Sequence, residues 1–284
     1  MQYVWTSLNA EMVPSLVLLV VLCGLAWMSW RDARDYAAFK KFDFSADRVR
    51  FYRRWTVVPM ALFGVGGLAV LLTFGRLDSL YSVPVEFAPL IAPFEAVSEP
   101  EGSSFETVLG MASGLLLGLT ITTVVWRRRL KKMSQPVVGD IEALLPRNGK
   151  EVASCIPLAL NAGISEEIFY RVALPLLVLE ATGSISASLM ISIAAFGLAH
   201  WYQGWKGVLA TSAMGALFFW FYLSSGSVIK PIAMHVLIDM IGLVIRPLVS
   251  QYLARRRASA EASEGALPAM PAGAATVVET EAST

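Results

Sequence analysis

The chain has 284 residues, of which 56% are hydrophobic and 16% charged, and its mean hydropathy of +0.59 is too high for a water-soluble domain of this length. The net charge of +1 gives no case for nucleic acid, but Lys and Arg are distributed very unevenly along the chain. The composition therefore predicts an all-α fold, a polytopic transmembrane helical bundle of about seven spans (six to eight), surrounded by bilayer lipid and without a nucleic-acid partner.

The first apolar run extends from about Met12 to Trp30, with no Lys or Arg before it. A cleaved signal peptide carries its positive charge ahead of the apolar run, so this one reads as a retained span with the N-terminus outside. Residues 31–55 then carry Arg31, Arg34, Lys40, Lys41, Arg48, Arg50, Arg53 and Arg54, which places this loop in the cytoplasm. A second span runs from about Thr56 to Phe74. The next segment, to Ser104, has Arg76 against Asp78, Glu86, Glu95, Glu99 and Glu101 and belongs outside; its apolar middle is broken by Pro84, Pro89 and Pro93 and is expected to lie along the interface.

The third span, about Thr107 to Trp126, repeats Gly110, Gly114 and Gly118 at helix-packing spacing and ends in RRRLKK. From Met133 to Lys150 the chain is mixed, and DIEALL suggests a short interfacial helix on the cytoplasmic side. Four spans follow, at about Val152–Leu179, Ser186–Trp205, Val208–Leu223 and Val228–Leu248. Arg255, Arg256 and Arg257 then put the C-terminus inside, and the Ala/Glu/Ser/Thr-rich tail from Ala258 reads as disordered. Cys23 and Cys155 lie in apolar runs, match no metal or redox spacing, and read as free thiols.

The fourth span holds NAGISEEIFYR, residues 161–171. An Asp or Arg at the centre of a spanning helix costs roughly 2.5–3.5 kcal/mol, so Glu166, Glu167 and Arg171 must pair or face a wet cavity. Glu167 and Arg171 are four apart and share a helix face, whereas Glu166 points about 100° away and has no local partner. That makes Glu166 the candidate reactive group. The chain's two histidines, His200 and His235, both fall in predicted spans of the same half, and at i, i+4 spacing Phe196 shares a face with His200 and His235 with Asp239. A carboxylate and two imidazoles in a low-dielectric cavity can activate water and stabilise an oxyanion. The set Glu166, His200, His235 and Asp239 could alternatively hold zinc with a position left open, although no HExxH helix is present.

Glu166-Glu167-x-x-x-Arg171, Phe196-x-x-x-His200 and His235-x-x-x-Asp239 resemble the three motifs of the CPBP intramembrane proteases, which include the type II CAAX prenyl endopeptidases and the bacteriocin-processing or immunity proteins (Abi). The resemblance covers about residues 140–249. It implies a hydrolase in which Glu166 and His200 activate the attacking water, His235 and Asp239 serve the oxyanion or the geometry of the site, and Glu167, Arg171 and Phe196 support them. The prenyl endopeptidases usually carry Asn where this chain has Asp239, and an ionised Asp repels an oxyanion, so Asp239 would orient His235, bind a metal or be protonated.

The expected organisation is an N-terminal three-span region over 1–132, a protease core over 133–250 and a cytoplasmic tail over 251–284, in a cell (inner) membrane. The function expected is an intramembrane endopeptidase, glutamate-dependent or a metalloprotease, acting on a peptide or membrane-protein substrate. A non-catalytic scaffold or immunity protein of the same fold, and a proton-coupled transporter, are the alternatives; paired repeats with broken helices, the mark of many transporters, are not visible.

Overall fold

The computed structural model describes residues 2–95 and 139–265, and the described residues form helices and short helical turns with no strand among them. The predicted span over 107–126, with its glycine row and basic end, and the tail beyond Gly265 lie outside the described residues. We number the helices α1 (Gln2–Phe39), α2 (Ser45–Thr73), α3 (Ala88–Glu95), α4 (149–182), α5 (Ile185–Ala199), α6 (Gly204–Ser225) and α7 (229–265). Met12–Phe39, Ser45–Thr73, Trp201–Ser225 and Ile229–Arg256 are each long and apolar enough to cross a membrane. The protein is a helical membrane bundle.

Most of the stretch expected to be a cytoplasmic loop, 31–55, is helical. Arg31-Asp32-Ala33-Arg34-Asp35 consists of helix-compatible residues, and Arg31 Nε stands 3.7 Å from Asp35 Oδ2 at i, i+4, so α1 continues to Phe39. The turn proper is confined to about 40–44, and α2 starts at Ser45. DIEALL forms a single 3₁₀ turn, Glu142–Leu144, and not a helix of several turns. The last helix, conversely, continues through Gly265 into the stretch read as disordered.

Helix α4 is the axis of the bundle. Residues 169–178 are buried throughout, and Phe169, Tyr170 and Leu174 share a core with Phe63 of α2, Phe196 of α5 and Phe219 and Tyr222 of α6. The outer helices bury little of themselves: Leu16, Leu19 and Val20 of α1, Leu72 of α2, Met190 of α5 and Leu209 of α6 are exposed, as side chains solvated by lipid would be. Small residues set the close crossings. A methyl group on Gly163 would stand 2.6 Å from Val236 N of α7, and one on Gly197 of α5 would stand 3.0 Å from Val208 O of α6, so α4 against α7 and α5 against α6 pack at backbone distance.

Helix α4 is also irregular. Gly149–Asn161 is α-helical, Ala162–Glu166 and Ile168–Ala173 are wound as π-turns, and Leu174–Thr182 is α-helical again. Widened turns release backbone carbonyls, and the neighbouring helix satisfies one of them: Ser192 Oγ of α5 donates to Tyr170 O. Glu166 and Arg171 thus lie in π-turns with Glu167 between them, and Met60–Val65 of α2 and Ile241–Ile245 of α7 are wound in the same way.

Candidate active site

A cavity of about 320 Å³ enters the bundle beside α4, and Glu166, His200, His235 and Asp239 all line it, together with Phe196 and Phe218. The elements that carry them explain how they meet. The helix expected over 186–205 stops at Ala199, so His200 is the residue at its C-terminal cap. A 3₁₀ turn, Trp201–Gln203, follows, and Gly204 (φ +76°) takes the left-handed conformation that starts α6. This break places the His200 ring at the inner end of α5, facing the cavity.

The hydrogen bonds fix the ring tautomers. His200 Nδ1 is 2.8 Å from Phe196 O; a carbonyl can only accept, so Nδ1 carries a proton, and in the neutral ring Nε2 is left as the acceptor. His235 Nδ1 is 2.8 Å from Glu167 Oε1 and donates to it, while its Nε2 is 3.7 Å from Asp239 Oδ2. The side chain that orients His235 is therefore Glu167 of α4, and Asp239, its helical neighbour, stands beyond hydrogen-bond distance.

Glu167 does two jobs at once. Its Oε2 accepts from Arg171 Nε at 2.8 Å and its Oε1 from Arg171 Nη2 at 3.3 Å, and both side chains of this pair are fully buried. The Arg171 guanidinium lies 4.5 Å from the centre of the Phe196 ring and 5.7 Å from that of Phe218, so aromatic faces cover the ion pair. Phe218 also stacks on His235, with ring centres 5.0 Å apart and planes 23° from parallel. The result is one connected unit, Arg171–Glu167–His235, clamped between Phe196 and Phe218.

Glu166 stands apart from that unit. Its Oε2 is buried with no hydrogen-bond partner among the described residues, and it faces the same cavity as the His200 and His235 rings. An unpartnered buried carboxylate oxygen is costly unless a ligand or water completes it. As arranged, the donors do not fit a resident metal: among the described residues no three of His, Cys, Asp and Glu stand together so as to hold an ion. Cys155 is buried away from these groups and Cys23 is exposed on α1, and both are free.

Several wall residues carried no signal in the sequence. Trp55, Asn161, Tyr202, Gln203 and Phe218 line the cavity, but an aromatic or amide near a span end is indistinguishable from an ordinary interface or packing residue. Asn161 Nδ2 donates to Thr56 O at 2.9 Å and so ties α4 to α2 on the approach to Glu166.

A short strap closes the end of the cavity opposite the bundle core. Ile141, Leu144 and Leu145 line it, and Arg48 of α2 holds the strap by donating to Ala143 O (2.9 Å) and Leu145 O (3.1 Å) while its Nε bonds Glu151 Oε2 at 2.9 Å. Asp140 N donates to Gln203 O at 2.8 Å, which anchors the strap to the turn that carries His200.

No curated protein and no solved structure matches the chain. A family model does, described as type II CAAX prenyl endopeptidase Rce1-like, and its match runs from residue 148 to 241. Those limits enclose every residue of the three motifs, so residues 148–241 are similar to the type II CAAX prenyl endopeptidase family to which the motifs point.

Proposed function

We propose that the protein is an intramembrane endopeptidase that hydrolyses a peptide bond with water activated by Glu166 and His200, the residues 133–250 forming its catalytic core. The observation that carries the proposal is the unpartnered Glu166 Oε2 in a cavity it shares with the His200 ring, whose Nδ1 is held by Phe196 O and whose Nε2 is the acceptor when the ring is neutral. Family membership supports a protease acting on peptide in a membrane. A water held between Glu166 and His200 would give one proton to the carboxylate as its oxygen bonds the scissile carbonyl carbon. The carbonyl electron pair moves onto oxygen, facing His235, which Glu167 holds in place. When the tetrahedral species collapses, the C–N bond breaks and the amine leaves with the proton that Glu166 took.

Glu167 and Arg171 act on this chemistry through His235. Asp239 stands 3.7 Å from His235 Nε2 and is an acceptor when ionised, so it can hold a water or a substrate N–H but cannot donate to an oxyanion. The test is proteolysis of membrane-inserted and C-terminal CAAX-type peptides by purified wild-type and Glu166→Gln protein in lipid vesicles. Cleavage by the wild type that Glu166→Gln lacks, with equal thermal stability, is expected; equal cleavage by both would remove Glu166 from the reaction. A scaffold or immunity protein would show no cleavage at all, and a transporter would show proton flux instead.

We further propose that the N-terminus lies outside and the C-terminus in the cytoplasm of a cell (inner) membrane. The basic residues flanking the turn at 40–44 and the acidic segment around Glu86 support this orientation. With Cys23 and Cys155 replaced, a cysteine at the exposed Asp43 should react only from the cytoplasmic side and one at Ser82 only from outside; the reverse pattern would invert the topology.

A further inference from the structure

A peptide that enters an apolar cavity must lose the water on its main-chain carbonyls, and a carbonyl left there without a donor is strongly disfavoured. The donors on the cavity wall are mostly spent. Asn161 Nδ2 serves Thr56 O, Thr211 Oγ1 serves Gly207 O, Gln203 Nε2 serves Tyr202 and Arg31 serves Asp32, while Arg246 is likewise engaged. His200 Nδ1 is held by Phe196 O and His235 Nδ1 by Glu167.

Beside the second N–H of each of the Asn161 and Gln203 amides, two aromatic donors remain, and they are neighbours. Trp55 Nε1 is buried without a hydrogen-bond partner among the described residues. Tyr202 accepts from Gln203 Nε2 at 3.1 Å on its phenolic oxygen, which leaves its O–H to donate. The Trp55 and Tyr202 rings meet edge to face, 4.9 Å between centres and 70° between planes, and Tyr36 (5.2 Å from Tyr202) and Phe51 (4.5 Å from Trp55) fix them from behind. The pair bridges α2 and the turn after His200, so it stands beside one of the two groups proposed to hold the water.

We propose that Trp55 Nε1–H and Tyr202 O–H form a binding site for main-chain carbonyl oxygens of the peptide substrate, next to the bond that is cut. The inference rests on the endopeptidase reading. Neutral donors recognise a peptide backbone whatever its side chains, so this part of the cavity positions the chain and leaves sequence preference to other walls. Both are positioning residues in the hydrolysis and take no proton.

Tyr202→Phe removes one oxygen and keeps the ring that packs on Tyr36 and Trp55, which makes it the cleaner variant; Trp55→Phe is the second. The probes are a peptide that the wild type cleaves and a series of analogues in which one peptide unit at a time is replaced by an (E)-alkene, which has no carbonyl. For the parent peptide, Tyr202→Phe is expected to raise KM about 10- to 100-fold, the range of a lost buried hydrogen bond, with kcat within about twofold and unchanged melting temperature. One alkene analogue should be cleaved equally well by wild type and Tyr202→Phe, because the partner oxygen is already gone. A loosened fold would not produce that cancellation at a single position. An unchanged KM in Tyr202→Phe, or a penalty that no analogue cancels, would overturn the assignment while the endopeptidase reading stands; a wild type that cleaves no peptide would overturn both.

Discussion

Glu167 Oε1 of α4 and His235 Nδ1 of α7 are 2.8 Å apart, across 68 residues of sequence, and the same carboxylate is held by Arg171 from the other side. A single buried carboxylate thereby links the stability of α4 to the orientation of an imidazole in the cavity.

That sharing sets the outcome of Arg171→Ala. Removing one partner of a buried pair typically costs 3–5 kcal/mol because the remaining charge is stranded, so folded yield and melting temperature should fall sharply. Activity per folded molecule should fall as well, since the Glu167 that remains no longer has a fixed geometry in which to hold His235. Thermal denaturation and specific activity on the same preparation test both. Full specific activity in the folded fraction would mean that Arg171 serves the fold alone.

The pairing of Glu167 with Arg171 was legible in the sequence because both lie on one helix, where i, i+4 spacing decides proximity. The partner of His235 was not. The i, i+4 rule pointed to Asp239, and the bond went to Glu167 because Gly163 lets α7 approach α4 at backbone distance, a tertiary effect that no local spacing encodes. The four described helices long and apolar enough to cross a membrane were readable from their apolar runs, but their ends were not. The helix of α1 runs through the basic stretch to Phe39, since Arg and Asp at helical spacing are as compatible with helix as with loop. The break at His200 depends on Gly204, which in a run such as HWYQGW reads as one more small residue of a span.

The buried pair Arg48–Glu151 was equally hidden, because Arg48 sits among surface-like basic residues in the sequence. Its Nη2 donates to Tyr52 Oη at 2.9 Å as well as to the strap carbonyls, so the planar guanidinium joins α2, α4 and the strap in one network. A lysine ammonium is a point charge on a flexible stem and cannot span these acceptors. Arg48→Ala should destabilise by roughly 3–5 kcal/mol, and Arg48→Lys should recover less than half of the loss. Limited proteolysis at 140–147 should become faster in both variants, with lower activity because Leu144 and Leu145 line the cavity. Wild-type stability in Arg48→Lys would show that charge alone is enough.

Outside the spans, Arg76 and Glu86 form a two-pronged bond, with Nη1–Oε1 at 2.8 Å and Nη2–Oε2 at 2.7 Å. The hydrogen bond from Arg76 is the main influence that lowers the Glu86 carboxyl below its ordinary value of 4.5. A group whose pKa is depressed on folding contributes stability that is fully present above the unfolded value and is lost as pH falls through the folded one. The difference in melting temperature between wild type and Glu86→Gln should therefore be constant above about pH 5.5, about one unit above that ordinary value, and should shrink as the pH is taken below it. Both side chains are partly exposed, so the difference will be small and will diminish in high salt. A difference that grows on acidification would contradict the assignment.

Metal removal separates hydrolysis by the protein's own groups from zinc chemistry. A zinc site would need Glu166 or Asp239 to converge with a free nitrogen of each histidine at about 2.0–2.2 Å. In the present arrangement His235 Nε2 lies 3.7 Å from Asp239, Glu167 is committed to Arg171 and His235, and among the described residues no three such side chains are grouped for an ion. Glu166, moreover, would be consumed as a ligand and could no longer take the proton of the attacking water. Cleavage should accordingly survive dialysis against EDTA and then 1,10-phenanthroline, with well under one zinc per protein by elemental analysis, and His235→Ala should lose activity without any change in metal content. Stoichiometric zinc that leaves together with activity on chelation, is absent from His235→Ala and restores cleavage when added back would instead require the cavity to contract around the ion, with Glu167 still holding His235 Nδ1.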